Sequence, residues 1–196
     1  MRSIKNMNTE QFQAHLELIL NLIQKTEELQ ETKTITETKV RREQLTNQFM
    51  SRILELYLAI KTSSTSSTLS AKYKTYIEKS EYSLRSLISE LISYINATED
   101  KLRSTFYDKE WEEIICRRRS AIEALKEMYE STFFAQFYYE LDTEDLDDSI
   151  EMRAHKEGGL KEEQIPKGIP TSHWWWWSPE EPPNDRNIMN QTVQIN

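Results

Sequence analysis

Cys116 is followed directly by Arg117, Arg118 and Arg119, and a thiol beside three guanidinium groups is the arrangement that lowers a cysteine pKa toward a reactive thiolate. On a helical wheel Cys116 falls near Glu112, Arg119 and Glu123, off the apolar seam. A thiolate nucleophile also needs an activating partner, and neither a histidine nor a carboxylate dyad accompanies Cys116 in sequence. Glu113, four residues before Arg117, predicts an ordinary helical ion pair instead. Metal chemistry is no better served. A di-iron bundle needs inward Glu-x-x-His pairs on its helices, whereas His15 has Phe12 three residues before it and His155 and His173 fall in the C-terminal region. Asp142, Glu144, Asp145, Asp147 and Asp148 resemble a cation loop only in charge, because an EF-hand would need Gly at 147 and Glu at 153, where Asp147 and Arg153 stand. No catalytic residue, metal ligand or cofactor is assigned, and the expectation is a protein that is not an enzyme.

Large aromatic side chains are the remaining candidates, and their chemistry is binding. Trp174, Trp175, Trp176 and Trp177 are consecutive, with Ile165 and Ile169 ahead of them and prolines on both sides. Four indoles can bury about 150 to 250 Å² each, which calls for a receptor surface. The flanking prolines predict an extended or polyproline-like arm with alternate rings on opposite sides. Between the chain's own body and another protein, a proline-flanked anchor after a glycine break favours the other protein. A second cluster, Phe133, Phe134, Phe137 and Tyr138, continued by Tyr139, is too dense for one helical stripe: these rings either close one end of the bundle, as long helices readily bury aromatics, or form a further partner-binding surface, to which the first four are assigned as candidates.

These residues need elements to position them, and the punctuation of the chain says which. All three glycines and all five prolines lie between residues 158 and 183, although a stretch of 157 residues at ordinary usage would hold about nineteen. Antiparallel helices tolerate that absence, since Ser, Thr, Asn and Asp can make their connections. It also excludes a P-loop, a dinucleotide fingerprint and a serine nucleophile elbow from the body. Apolar spacings predict helices over 9–30, 39–61, 71–97 and 108–139, with a turn at the threonines 32, 34, 36 and 38 and a loop at 62–68. Whether 9–61 is one helix or two rests on that threonine turn alone. Thr143 as cap and Gly158 as stop predict a short fifth helix. The expected fold is all-α: a four-helix up-down bundle, or a long helical hairpin or coiled coil, over 1–140, then a short acidic helix over 141–157 and an extended tail over 158–196.

Charge divides the chain at the same place. Residues 1–139 hold 20 basic and 20 acidic side chains, so the net charge of −8 belongs to residues 140–196. A neutral body offers no clustered basic excess for nucleic acid, and none is expected as a partner. No apolar run approaches the ~20 residues of a membrane span, and a single cysteine fits a reducing compartment, so a soluble, cytoplasmic protein is expected. The functional expectation is an interaction or scaffold protein: a helical body that forms a homo-oligomer, and a tryptophan arm that docks on a protein partner. The alternative is an antitoxin-, inhibitor- or chaperone-like protein whose acidic tail masks a basic site on its partner.

Overall fold

The structure is a computed structural model that describes residues 35–62, 67–103, 109–158 and 160–177, together with the helical positions 10, 14, 17, 18 and 21. Five α-helices are bounded among the described residues: α1 Ile35–Thr62, α2 Ser67–Ser86, α3 Ile88–Arg103, α4 Lys109–Met128 and α5 Glu144–Glu157. A 3₁₀ helix, Phe133–Glu140, joins α4 to α5, and two single 3₁₀ turns, Glu162–Gln164 and Trp174–Trp176, come after α5. No strand occurs among the described residues, so the all-α expectation holds. Asn47 meets Arg118 and Tyr57 meets Glu127, which makes α1 and α4 parallel. Ser80 meets Tyr129 and Thr98 meets Arg118, so the α2–α3 run is antiparallel to α4.

The stripes expected from spacing form the core. Leu45, Phe49, Ile53 and Leu56 of α1, Ile77, Leu84, Leu91 and Ile95 of α2 and α3, and Ile115, Ile122, Leu125 and Tyr129 around α4 are buried. Ser80, which stands where the spacing calls for an apolar residue, is fully buried. Its hydroxyl bonds the Tyr76 carbonyl at 2.9 Å and the Tyr129 hydroxyl at 2.6 Å, so the polar group enters the core with partners.

Several boundaries differ from expectation: α2 already starts at Ser67, inside the expected 62–68 loop, and α3 runs on to Arg103 rather than 97. Thr36 and Thr38 lie inside α1 rather than in a turn, because the few tenths of a kcal/mol that each threonine costs a helix yield to the packing further along. Thr32 and Thr34, and the question of one helix or two over 9–61, lie outside the described residues. The third expected helix is broken at Leu87, where the Leu87 N–H turns to the Leu84 carbonyl and Leu91 resumes on Leu87. Ser86 bonds the Ser83 carbonyl beside the break, and such hydroxyls bend helices by competing for backbone acceptors. The expected helix to 139 stops at Met128. Thr132 bonds the Tyr129 carbonyl through its hydroxyl and caps the Phe134 N–H, which starts the 3₁₀ helix.

The last difference concerns the tail. Residues 160–177 are not extended; they form successive turns that fold back on the helices, while 178–196 lie outside the described residues. The turn-back starts at Gly158, whose φ of 80° and ψ of 165° are open to glycine almost alone. A Cβ there would meet nothing within 4 Å, so only backbone strain opposes a side chain. Gly158→Ala is therefore expected to destabilise the fold by about 1–3 kcal/mol in urea unfolding, and an unchanged midpoint would count against this strain.

Candidate functional site

Prolines shape the C-terminal segment by opening local turns rather than by extending it. Pro166 accepts the Ile169 N–H across a turn whose third residue, Gly168, has a φ of 87°, and Pro170 accepts the His173 N–H at 2.9 Å. The next turn runs His173 to Trp177, with Trp176 bonded back to His173 and Trp177 to Trp174. Side chains in a 3₁₀ turn radiate three ways instead of alternating. Trp175 and Trp176 are thereby buried, while Trp174, Trp177, Ile165 and Ile169 are half-buried against the same core. The two central indoles are thus covered by their own chain rather than presented outward. We refer to residues 160–177 as the strap.

One hydroxyl organises the contact. Ser120 on α4 is fully buried, and its Oγ accepts the Trp175 Nε1–H at 2.9 Å and the Trp176 Nε1–H at 2.7 Å. His173 Nδ1 lies 3.1 Å from the same oxygen. A serine hydroxyl has two lone pairs and one hydrogen, so with both lone pairs filled it must donate to Nδ1. His173 then carries its proton on Nε2 and is neutral. Burial, the largest influence, pushes its pKa down to about 4, against the opposing pull of Glu127 and Glu123. Its ring stacks between Trp175, at 4.8 Å, and Tyr57 of α1, at 5.8 Å. Burial and a hydrogen bond to Glu127 raise the Tyr57 phenol far above its ordinary value.

Arg119 holds the strap from the other side. The guanidinium lies 4.2 Å from the Trp175 ring, grips Asp147 of α5 with two bonds of 2.6 and 3.0 Å, and bonds Glu123 at 2.9 Å. Burial works against its charge, but Asp147 and Glu123 outweigh it and hold the pKa above the usual arginine value. The other two arginines go elsewhere. Arg117 pairs with Glu113, as its spacing predicts, and Arg118 bonds Asn47 and Thr98 and lies over Tyr94.

Cys116, expected off the seam with a depressed pKa, is instead buried, one turn before Ser120 and in contact with the Trp175 carbonyl at 3.1 Å. Burial and then Glu112 push its thiol well up, opposite to the effect expected of the arginines. The Ser120–His173 pair has the separation of a nucleophile and its base. Both lone pairs of that serine hold indole protons and neither residue is exposed, so the pair acts as a structural junction. Among the described residues no cluster of His, Cys, Asp and Glu is placed to hold a metal ion, and no helix is long and apolar enough to cross a membrane.

The second aromatic cluster is split by depth. Phe134 is buried against Tyr129, Phe137 and Tyr138 are half-buried, and Tyr138 bonds the Lys126 carbonyl. Phe133 is 59% exposed and Tyr139 77% exposed. Arg85 of α2 spans Phe133 and Phe137, 5.9 and 5.1 Å from their ring centres, and Glu81 accepts the Phe133 N–H. Comparison with family models, curated proteins and solved structures finds no match to this chain.

Ser120, His173, Tyr57 and Asp147 were not anticipated from sequence as parts of the site. One signal pointed there: Cys116, Ser120 and Ala124 are small residues four apart, a row where another segment can approach α4 closely, and all three are buried. Ser120→Ala is expected to cost roughly 1–3 kcal/mol for each indole N–H left without an acceptor, against little change for the exposed Ser93→Ala. Thermal unfolding of the two variants decides it. Cys116 should resist a maleimide in the folded protein and react after denaturation; rapid native labelling would contradict its burial.

Proposed function

We propose that this chain is a non-enzymatic protein–protein interaction module that associates with a second copy of itself through the edge built by Phe133, Arg85, Phe137 and Tyr139. The observation that carries the reading is Phe133: a phenyl ring 59% exposed, held in place by its neighbours rather than left to collapse inward. Tyr82, 81% exposed, stands three residues before Arg85 on the same helix and adds a further ring to this side of α2. Exposed aromatics beside an arginine have the composition that dominates interface energies.

A second copy suits this edge because charges of both signs, Glu81, Arg85 and Glu130, lie in or near it, and a two-fold axis sets such a patch against itself. The neutral charge of residues 1–139 also removes the repulsion that would oppose pairing of two bodies. In this reading the up-down helical bundle is the rigid support for the edge, and the strap is the second binding element, available to a protein partner when it leaves Ser120. The alternative, an acidic tail that masks a basic site, draws support from the exposed Glu144, Asp145, Asp148 and Glu151 of α5. It is weakened by Asp147, whose charge is already engaged by Arg119.

Sedimentation velocity over a range of concentrations tests the main reading. The wild-type chain is expected to shift toward dimer as concentration rises, and Phe133→Asp to weaken that association about tenfold or more while leaving helicity intact. A wild-type chain that stays monomeric at high micromolar concentration would remove the proposal.

A further inference from the structure

His173 is fully buried, and its Nε2 has no hydrogen-bond partner among the described residues. Its Nδ1 receives the Ser120 hydroxyl hydrogen, because both Ser120 lone pairs are filled by indole N–H groups. The imidazole is thus compatible with this junction only while Nδ1 is bare. A proton added from solvent at Nδ1 would set an N–H against an oxygen with no acceptor capacity left.

The charged and titratable groups around His173 offer the cation little relief. From α1, Tyr57 lies against the ring and Lys61 opposes a positive charge; from α4, Arg119 opposes it, and Glu123 and Glu127 favour it. Both glutamates already have cationic partners. Glu123 is bonded to Arg119, and Glu127 accepts from Tyr57 and pairs with Lys61. From α5, the group engaged at this junction is Asp147, held by Arg119 in a two-bond grip. Burial therefore decides the balance, in favour of the neutral ring.

We propose that His173 makes the strap an acid-released latch: uptake of one proton breaks the Ser120 junction and frees residues 160–177 from α1, α4 and α5 while the helices stay folded. This extends the preceding reading of the strap as a second binding element by naming what frees it. A histidine free in solution titrates near 6.5, whereas burial in the docked strap pushes His173 down to about 4. The undocked state therefore binds more protons between those values. Docking is strongest above pH 6.5, weakens about tenfold per pH unit down to 4, and changes little below that, a loss of a few hundredfold in all.

The test is an NMR titration of the full chain from pH 7.5 to 4, following the Nε1–H signals of Trp175 and Trp176 and the His173 ring, with far-UV circular dichroism alongside. It is run on the Phe133→Asp background, so that failure of self-association and failure of the latch are read separately. Both indole signals are expected to leave their docked positions together with His173 titration, with helical ellipticity retained. His173→Asn keeps an acceptor near Nδ1 but cannot take up the proton, and its strap should remain docked at pH 4. If that variant is undocked even at pH 7.5, the co-titration in the chain that retains His173 decides. Indoles that stay put while His173 titrates, release that persists in His173→Asn, or loss of helix and strap in one step would each overturn the latch.

Discussion

Two indole N–H groups cannot leave water without an acceptor, and a single hydroxyl on α4 serves both. Burying Trp175 and Trp176 removes large apolar areas from water, which favours docking at about 25 cal/mol per Å². That gain would be eroded if the polar edge of either ring were stranded. Ser120 prevents this because it is small, lies in a row with Cys116 and Ala124, and has two lone pairs for two donors. The arrangement of the strap depends on it. Pro166, Gly168 and Pro170 turn the chain so that both indoles converge on one oxygen, and His173 occupies the position left for the hydroxyl hydrogen.

Arg119 supplies the second constraint, and it explains why the acidic helix joins the body. Leu146 and Ile150 are buried, but they give α5 only a narrow apolar face. Asp147 adds a charge-assisted grip on a guanidinium that is itself buried and would be costly to leave without a counter-charge. Because the same guanidinium lies over Trp175, α5, α4 and the strap share one side chain. Three consecutive arginines thus serve three different contacts, one within α4, one to α1 and α3, and one to α5 and the strap.

Periodicity located the core helices because burial on one face leaves a repeating mark that neighbours in sequence share. Phe49, Ile53 and Leu56, or Ile115, Ile122 and Leu125, are buried in the register their spacing implied. The bounds of α5 were equally legible, since Thr143, the acidic first turn and Gly158 lie within a few residues of the helix ends, although the Thr143 hydroxyl meets Asp147 and it is Asp142 that accepts the Glu144 N–H. Breaks were harder. Leu87 is apolar and lies in register, so nothing in the pattern distinguishes it from its neighbours, and the serines that accompany the break also occur in unbroken helices. The end of α4 was obscured in the same way, by a run of aromatics compatible with helix until Thr132 claims the backbone acceptors.

By itself, the order of residues determined an all-helical body without glycine, a neutral body followed by an acidic remainder, and an aromatic arm too apolar to stay uncovered. Each is a property of composition or of short-range spacing. Only the tertiary structure decided what covers Trp175 and Trp176, why the Cys116 thiol is buried with its pKa raised rather than lowered, and which carboxylate answers Arg119. Those outcomes depend on groups more than twenty residues apart, Ser120 with His173 and Arg119 with Asp147, whose hydrogen-bonding capacities match only after packing excludes water from between them.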